Sequence, residues 1–288
     1  MAERHVSMAQ HTSWRVGGPA EYYCKPGSRD ELIECLQSVG AGVPIHFIGR
    51  GSNLLVRDGG VAAALIAVHD ALTDFEELGD GRIYAGAGLA CALVARRCVR
   101  NRLGPAEFFA GIPGTVGGAL TMNAGAFGGE TWNQVESVEV INRQGEVTVR
   151  YPDEYQVAYR EVSLIEPREE WFIGGTFRFT ENYDTSPEKV KALVNQRKES
   201  QPLGLPSCGS VFRNPPGDHA ARLIEAAGLK GHVIGGAVVS DKHANFIINT
   251  GTATAADIEN LIKHVQATVK REFDVELVRE VHIIGEAA

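Results

Sequence analysis

The chain has 288 residues, 44% hydrophobic and 22% charged, with 28 Lys and Arg against 36 Asp and Glu for a net charge of −8. Apolar runs recur from end to end, which excludes a disordered chain and supplies a core. The acidic balance, with no basic stripe, argues against a nucleic-acid surface. An anionic small molecule is compatible with it, given a local cluster of Arg and backbone N–H groups.

Cys24, Cys35, Cys91, Cys98 and Cys208 are odd in number and form no C-x-x-C pair. They read as reduced thiols rather than a disulfide framework or a zinc site. No His-Glu-x-x-His occurs, and no metal is expected. Residues 1–14 lack the basic start and apolar core of a signal peptide, and the longest apolar run, 61–68, is too short to span a bilayer. A soluble, cytoplasmic protein without a membrane partner is expected.

In chain order, Ser28-Arg-Asp-Glu31 reads as a capping box opening a helix through Leu32, Ile33 and Leu36, stopped by Gly40 and Gly42. A short strand at 44–48 runs into Gly49-Arg-Gly-Ser-Asn53, and 54–56 resumes extended structure. Strands follow at 62–68 and 82–85, then a helix at 91–100. Residues 135–142 and 146–151 suggest a hairpin turned at Arg143-Gln-Gly145, and 171–179 another strand. A helix is expected over 187–200. The charged, Pro-bearing stretch 198–206 is a candidate domain boundary. Asp218 is placed to cap a helix that ends at Gly228, and Thr254-Ala-Ala-Asp257 to cap a longer one. Alternation over 275–284 predicts a final strand. The mixture is α+β, without the regular strand–helix alternation of a doubly wound sheet.

Glycine is the anomaly: there are 33, and many are clustered. The first cluster, Gly49-Arg-Gly-Ser-Asn-Leu-Leu55, is delivered by a strand. Its N–H groups can hold a pyrophosphate, with Ser52 and Asn53 as further donors, although a plain hairpin turn fits equally. It is not the dinucleotide fingerprint, because Leu54 stands at the third glycine position. The second cluster, Ala110-Gly-Ile-Pro-Gly-Thr-Val-Gly-Gly-Ala119, is followed by Asn123-Ala-Gly-Ala126. Pro113 fixes one φ, giving a rigid peptide surface against which a flat ligand could lie; the alternative is a tightly packed helix start.

These segments together resemble the flavin-binding core of the UDP-N-acetylenolpyruvoylglucosamine reductase family. His11-Thr-Ser-Trp-Arg-Val-Gly-Gly-Pro19 is similar to that family's opening segment. The likeness continues through Tyr159-Arg-Glu-Val-Ser163, Gly209-Ser-Val-Phe-Arg-Asn-Pro215 and Arg279-Glu-Val281, nearly the whole chain in order. The resemblance implies a two-lobed FAD-binding domain of the vanillyl-alcohol-oxidase type over 1–198, with lobes of about 1–70 and 71–198. A smaller C-terminal α+β substrate domain covers 199–288.

The resemblance also implies residue roles. FAD would lie against Gly49, Arg50, Gly51, Ser52, Asn53 and Leu54, against Gly111, Ile112, Pro113, Gly114, Gly117 and Gly118, and against Asn123, Gly125 and Ala126. Arg160, Ser210 and Glu280 would be catalytic: Arg160, helped by Glu280, stabilising an enolate, and Ser210 donating a proton. From the residues alone, a surface Arg, a turn Ser and an edge carboxylate are the plainer readings, and the family pattern decides otherwise. Cys208, the more acidic group beside Ser210, is read as structural. Tyr159, Arg213 and Asn214 would contact the substrate. His243 and Asn245 are weaker candidates, placed equally well at a strand start.

The implied reaction passes a hydride from NADPH through FAD to UDP-N-acetylglucosamine enolpyruvate, giving UDP-N-acetylmuramate for peptidoglycan. Residues 161–170 are short and acidic, like the class of the family without an extra tyrosine loop. A sugar or alcohol oxidase of the same flavin fold is the alternative.

Overall fold

The structure, a computed structural model, describes residues 2–69 and 71–288. Backbone contacts divide the chain into two units that interleave in sequence. The first comprises Tyr23–Arg50 and Ala64–Gln196 with residues 2–3; the second comprises Arg4–Tyr22, Gly51–Ala63 and Arg197–Ala288. The α-helices among the described residues are α1 (Arg29–Ser38), α2 (Cys91–Arg100), α3 (Val116–Met122), α4 (Pro187–Ser200), α5 (Ala220–Ala226) and α6 (Ala255–Phe273). Helices and strands are mixed in α+β fashion. No helix among the described residues is long and apolar enough to cross a membrane.

The first unit is built on a five-stranded antiparallel sheet in the order Val147–Arg150, Val135–Asn142, Glu170–Arg178, Arg82–Gly86, Phe75–Gly79. The hairpin expected at 143–145 is present. Gly145 supplies the left-handed residue (φ +86°). Asn142 Oδ1 accepts the N–H groups of Gln144 and Glu146 at 3.0 and 2.9 Å, so the side chain itself pins the turn. The amphipathic α2 buries Cys91, Val94, Ala95, Cys98 and Val99, and Phe109 meets Phe177 edge-on at 5.7 Å in the same core. In α1, Ser28 Oγ accepts the Glu31 N–H as predicted, but Glu31 reaches back to the N–H of Gly27 instead of Ser28. Ile45–Ile48 lies parallel to residues 64–67.

The second unit packs α5 and α6 against a three-stranded antiparallel sheet, Val233–Ile234, Ala237–Val239 and Ile247–Asn249. Its core also takes Trp14, Val16 and Leu55. Trp14 is fully buried; its Nε1–H donates to the Ile247 carbonyl at 2.8 Å, and Asn249 Nδ2 donates to the Trp14 carbonyl at 2.8 Å. Leu54–Val56 pairs in parallel with His282–Ile284. The predicted capping box Thr254/Asp257 forms. The carboxylate of Asp58, which the sequence does not single out, also accepts the N–H groups of Ala255 and Ala256, at 2.9 and 2.8 Å.

Two expectations about elements need correction. The final strand covers only His282–Ile284 with an isolated bridge at Arg279, not 275–284. Leu277 and Val281 are buried, but Arg279 between them is exposed, so the alternation breaks there, and the stretch before residue 282 has no continuous partner strand. Helix α5 is preceded by His219, not capped by Asp218, whose carboxylate instead binds the His219 N–H and Arg222. The predicted stop at Gly228 (φ +70°) is present. Helix α4 forms where expected, although none of its residues is buried.

Candidate active site

In the first unit the two glycine clusters meet at one hydroxyl. Strand Ile45–Ile48 ends at Gly49, and a Cβ there would sit 2.7 Å from Thr115 Oγ1; one at Gly118 would be 4.0 Å from the same atom. Thr115 is 1% exposed, and its hydroxyl has no hydrogen-bond partner. It stands at the N-cap position of α3 yet caps nothing. A buried hydroxyl without a partner, ringed by residues lacking side chains, is what a closely bound polar ligand requires. The residues present therefore fit an FAD phosphate or ribitol. Two of the first N–H groups of α3 are spent internally, Val116 on Leu89 and Gly117 on Ala87. Thr115 lies inside the quoted motif, but nothing in the sequence distinguishes an idle cap from a working one.

Asn123 ends α3 in the left-handed conformation (φ +43°) and is 3% exposed. Its Nδ2 donates to Glu130 and to the Ala158 carbonyl, and its Oδ1 accepts the Trp132 N–H. The side chain is thus engaged within the protein.

Arg160 sits in the two-residue turn of the hairpin Tyr155–Ala158/Glu161–Leu164, itself left-handed (φ +57°). Its guanidinium donates to the carbonyls of Asn123 (3.3 Å) and Gly125 (2.9 Å). A permanent cation is thereby fixed on the glycine-rich loop. Tyr159, beside it, is 44% exposed, its ring 5.1 Å from that guanidinium.

The second unit brings Ser210, Glu280 and Asn53 together. Gly209 (φ +73°) turns the chain into Ser210, and a Cβ at Gly209 would meet nothing within 4 Å, so this side is open. Downstream, the Val211 carbonyl accepts the Glu280 N–H at 2.8 Å, and the Arg213 N–H donates to the Val278 carbonyl at 2.9 Å. Asn53 Nδ2 donates to the Glu280 carbonyl at 2.9 Å, and the Asn53 carbonyl accepts the His282 N–H at 3.0 Å. The loop of the first glycine cluster and the segment carrying Glu280 are thus tied at one residue. Gly51 (φ +60°) is compelled both by conformation and by space, because a Cβ would lie 2.2 Å from the His11 carbonyl oxygen.

Cys208 is buried, and its thiol donates to the Gly51 and Leu54 carbonyls. Burial pushes its pKa up to about 12. It therefore stays protonated, and with its thiol buried and directed at two backbone carbonyls it fits the structural role read from the sequence. Cys91 is fully buried with its pKa raised by burial, and offers no tether for a covalent flavin. Asn214 spends its Oδ1 on the Ala220 N–H, starting α5. His243 lies edge-on to Phe246 at 4.9 Å, and burial lowers its pKa, favouring the neutral ring. Arg213 is half-buried.

Residues 20–150 match the profile of an FAD binding domain, and residues 201–284 that of the UDP-N-acetylenolpyruvoylglucosamine reductase C-terminal domain. The chain is 52% identical over 285 residues to the UDP-N-acetylenolpyruvoylglucosamine reductase of Nitrosococcus oceani, covering 99% of this chain and 95% of that protein. Identity to the enzyme of the same name from Alkalilimnicola ehrlichii is 52% over 281 residues, covering 97% and 93%. The crystal structure of UDP-N-acetylenolpyruvylglucosamine reductase from Thermus caldophilus matches with a TM-score of 0.81 at 32% identity, over 99% of each chain. With these two profile matches and 52% identity to a relative over nearly its full length, this chain belongs to the UDP-N-acetylenolpyruvoylglucosamine reductase family of flavin-dependent oxidoreductases.

Proposed function

We propose that the protein reduces UDP-N-acetylglucosamine enolpyruvate to UDP-N-acetylmuramate with NADPH, through FAD, in the cytoplasm as a step of peptidoglycan precursor synthesis. The observation that carries the reading is the bond from the Glu280 N–H to the carbonyl of Val211, the residue after Ser210, beside an open glycine turn. When held by these residues, FAD would supply hydride transfer from NADPH to the terminal carbon of the enol ether. The electron pair of the C=C bond then moves toward the substrate carboxylate. Arg160, helped by Glu280, stabilises the charge that develops there. Ser210 donates its proton to the adjacent carbon, completing addition of one hydride and one proton across the double bond. Tyr159, Arg213, Asn214 and His243 are assigned to the substrate. For Asn214 that contact would use its Nδ2, since its Oδ1 is engaged by Ala220. Gly49 to Leu54, Gly111 to Gly114, Gly117, Gly118 and the backbone of Asn123, Gly125 and Ala126 are assigned to FAD, and Thr115 joins them.

The test is anaerobic stopped-flow absorbance at the flavin maximum. In Ser210→Ala, bleaching by NADPH should proceed within about twofold of wild type, while recovery on adding the enolpyruvyl sugar should slow by a factor on the order of 10² or more. Equal losses in both half-reactions would remove Ser210 from the proton-donor role. Recovery with oxygen but not with the enolpyruvyl sugar would turn the reading toward an oxidase.

A further inference from the structure

Ser210 stands at a turn, and a hydroxyl at a turn is only as well aimed as the peptide that follows it. That peptide is gripped from two sides. On one side the Val211 carbonyl accepts the Glu280 N–H at 2.8 Å, and Phe212 forms an isolated antiparallel bridge with Arg279. On the other side stands one residue, Asn245, 3% exposed. Its main-chain carbonyl accepts the Val211 N–H at 2.9 Å. Its Oδ1 accepts the Phe212 N–H at 3.0 Å, and its Nδ2 donates to the Phe212 carbonyl at 2.8 Å.

A neighbouring strand would normally supply such a reciprocal pair of bonds. Here the chain is turning at residues 243–246, with the Phe246 N–H bonded to the His243 carbonyl. The carboxamide has the donor and acceptor of a peptide group on a side chain, so it replaces the missing strand. No other side-chain type of that length presents both in one plane.

We infer that Asn245 is the positioning residue for Ser210: its buried carboxamide fixes the Val211–Phe212 backbone and thereby aims the hydroxyl. The inference rests on Ser210 being the proton donor. The side chain contacts neither substrate nor flavin in this role. It is spent on the backbone of Phe212, in place of the weak substrate contact its sequence context suggests.

Asn245→Asp keeps the acceptor and the volume but sets an oxygen against the Phe212 carbonyl. The holoenzyme variant should bleach with NADPH within about twofold of wild type, whereas reoxidation by the enolpyruvyl sugar should fall by roughly 100-fold, the loss expected of an ångström-scale misplacement. Half-saturation for that sugar should stay within about threefold, since only the step that needs the proton is affected. Asn245→Gln retains both polar groups one methylene further out and should give a smaller loss, about tenfold, providing a second variant if the aspartate does not fold. In a Ser210→Ala background, Asn245→Asp should add no further slowing, because the hydroxyl it aims is gone.

Amide hydrogen exchange gives a readout without turnover. The Phe212 amide should exchange at least about tenfold faster in Asn245→Asp, with the α6 amides unchanged. Proportional loss in both half-reactions, additive losses in the double variant, or faster exchange throughout α6 would each reduce Asn245 to a structural residue and overturn the inference. Wild-type reoxidation in Asn245→Asp beside a slow Ser210→Ala overturns it alone. Wild-type reoxidation in Ser210→Ala overturns the proton-donor assignment and this inference with it.

Discussion

Thr115 shows how a single hydroxyl can be worth little to the fold and more to a ligand. Because it makes no hydrogen bond in the protein, its removal costs the protein almost no polar interaction. Thr115→Ala should therefore leave the urea midpoint close to wild type. FAD binding to the apoprotein, followed by fluorescence quenching, should weaken by about tenfold, the equivalent of roughly 1.4 kcal/mol. Unchanged affinity would take Thr115 out of the FAD site. Asn123 is the opposite case, with a side chain occupied by Glu130, Ala158 and Trp132. Its replacement would act through the loop that carries Gly125 and holds Arg160. Cys208, held protonated by burial, should resist thiol reagents in the native protein.

Helix α6 depends on partners distant in sequence. Asp58 caps its first N–H groups. Arg57 forms a paired contact with Glu259 at 2.7 and 3.0 Å, and Lys263 reaches the same carboxylate at 2.9 Å. The Arg57 hydrogen bond lowers the Glu259 pKa from the ordinary 4.5 to about 2, against the opposing effect of burial. The folded-state pKa is depressed, so this contribution to stability is fully present above about pH 4.5 and is lost as pH falls toward 2. Urea midpoints measured across that window should fall more steeply in wild type than in Glu259→Gln. Parallel curves would show that the carboxylate contributes nothing to acid sensitivity. At neutral pH, Glu259→Gln should be the less stable protein, since it leaves Arg57 with a weaker acceptor.

The molecule as a whole is assembled from segments that interleave along the chain. The second unit draws on residues 4–22, 51–63 and 197–288, and its core joins Trp14, Val16 and Leu55 to α5 and α6. Trp14 is the clearest link, buried completely and hydrogen-bonded in both directions to the strand Ile247–Asn249. Trp14→Ala should cost about 3–5 kcal/mol in urea unfolding, because it opens a cavity and leaves the Ile247 carbonyl without its donor. A loss below about 1 kcal/mol would mean the opening segment is dispensable to this core.

Much of the local structure was legible because local chemistry decides it. Thr254 and Asp257 cap α6, Gly145 turns its hairpin and Gly228 ends α5, each through contacts within a few residues. Sequence by itself also determined the ordered set of motifs, and hence the family and its flavin chemistry. It did not determine the extent of the last strand, since pairing needs a neighbour that alternation cannot reveal. It placed Asp218 at a cap that the backbone passes by. Nor could it separate Asn245 from His243 two residues earlier. Both are polar residues before a strand, and only the tertiary structure sets one amide against the peptide after Ser210. The same holds for Thr115, Asp58 and the tie from Asn53 to Glu280. Those contacts join residues tens to hundreds of positions apart, and the folded packing decides which polar groups meet, which are buried and which are left for a ligand.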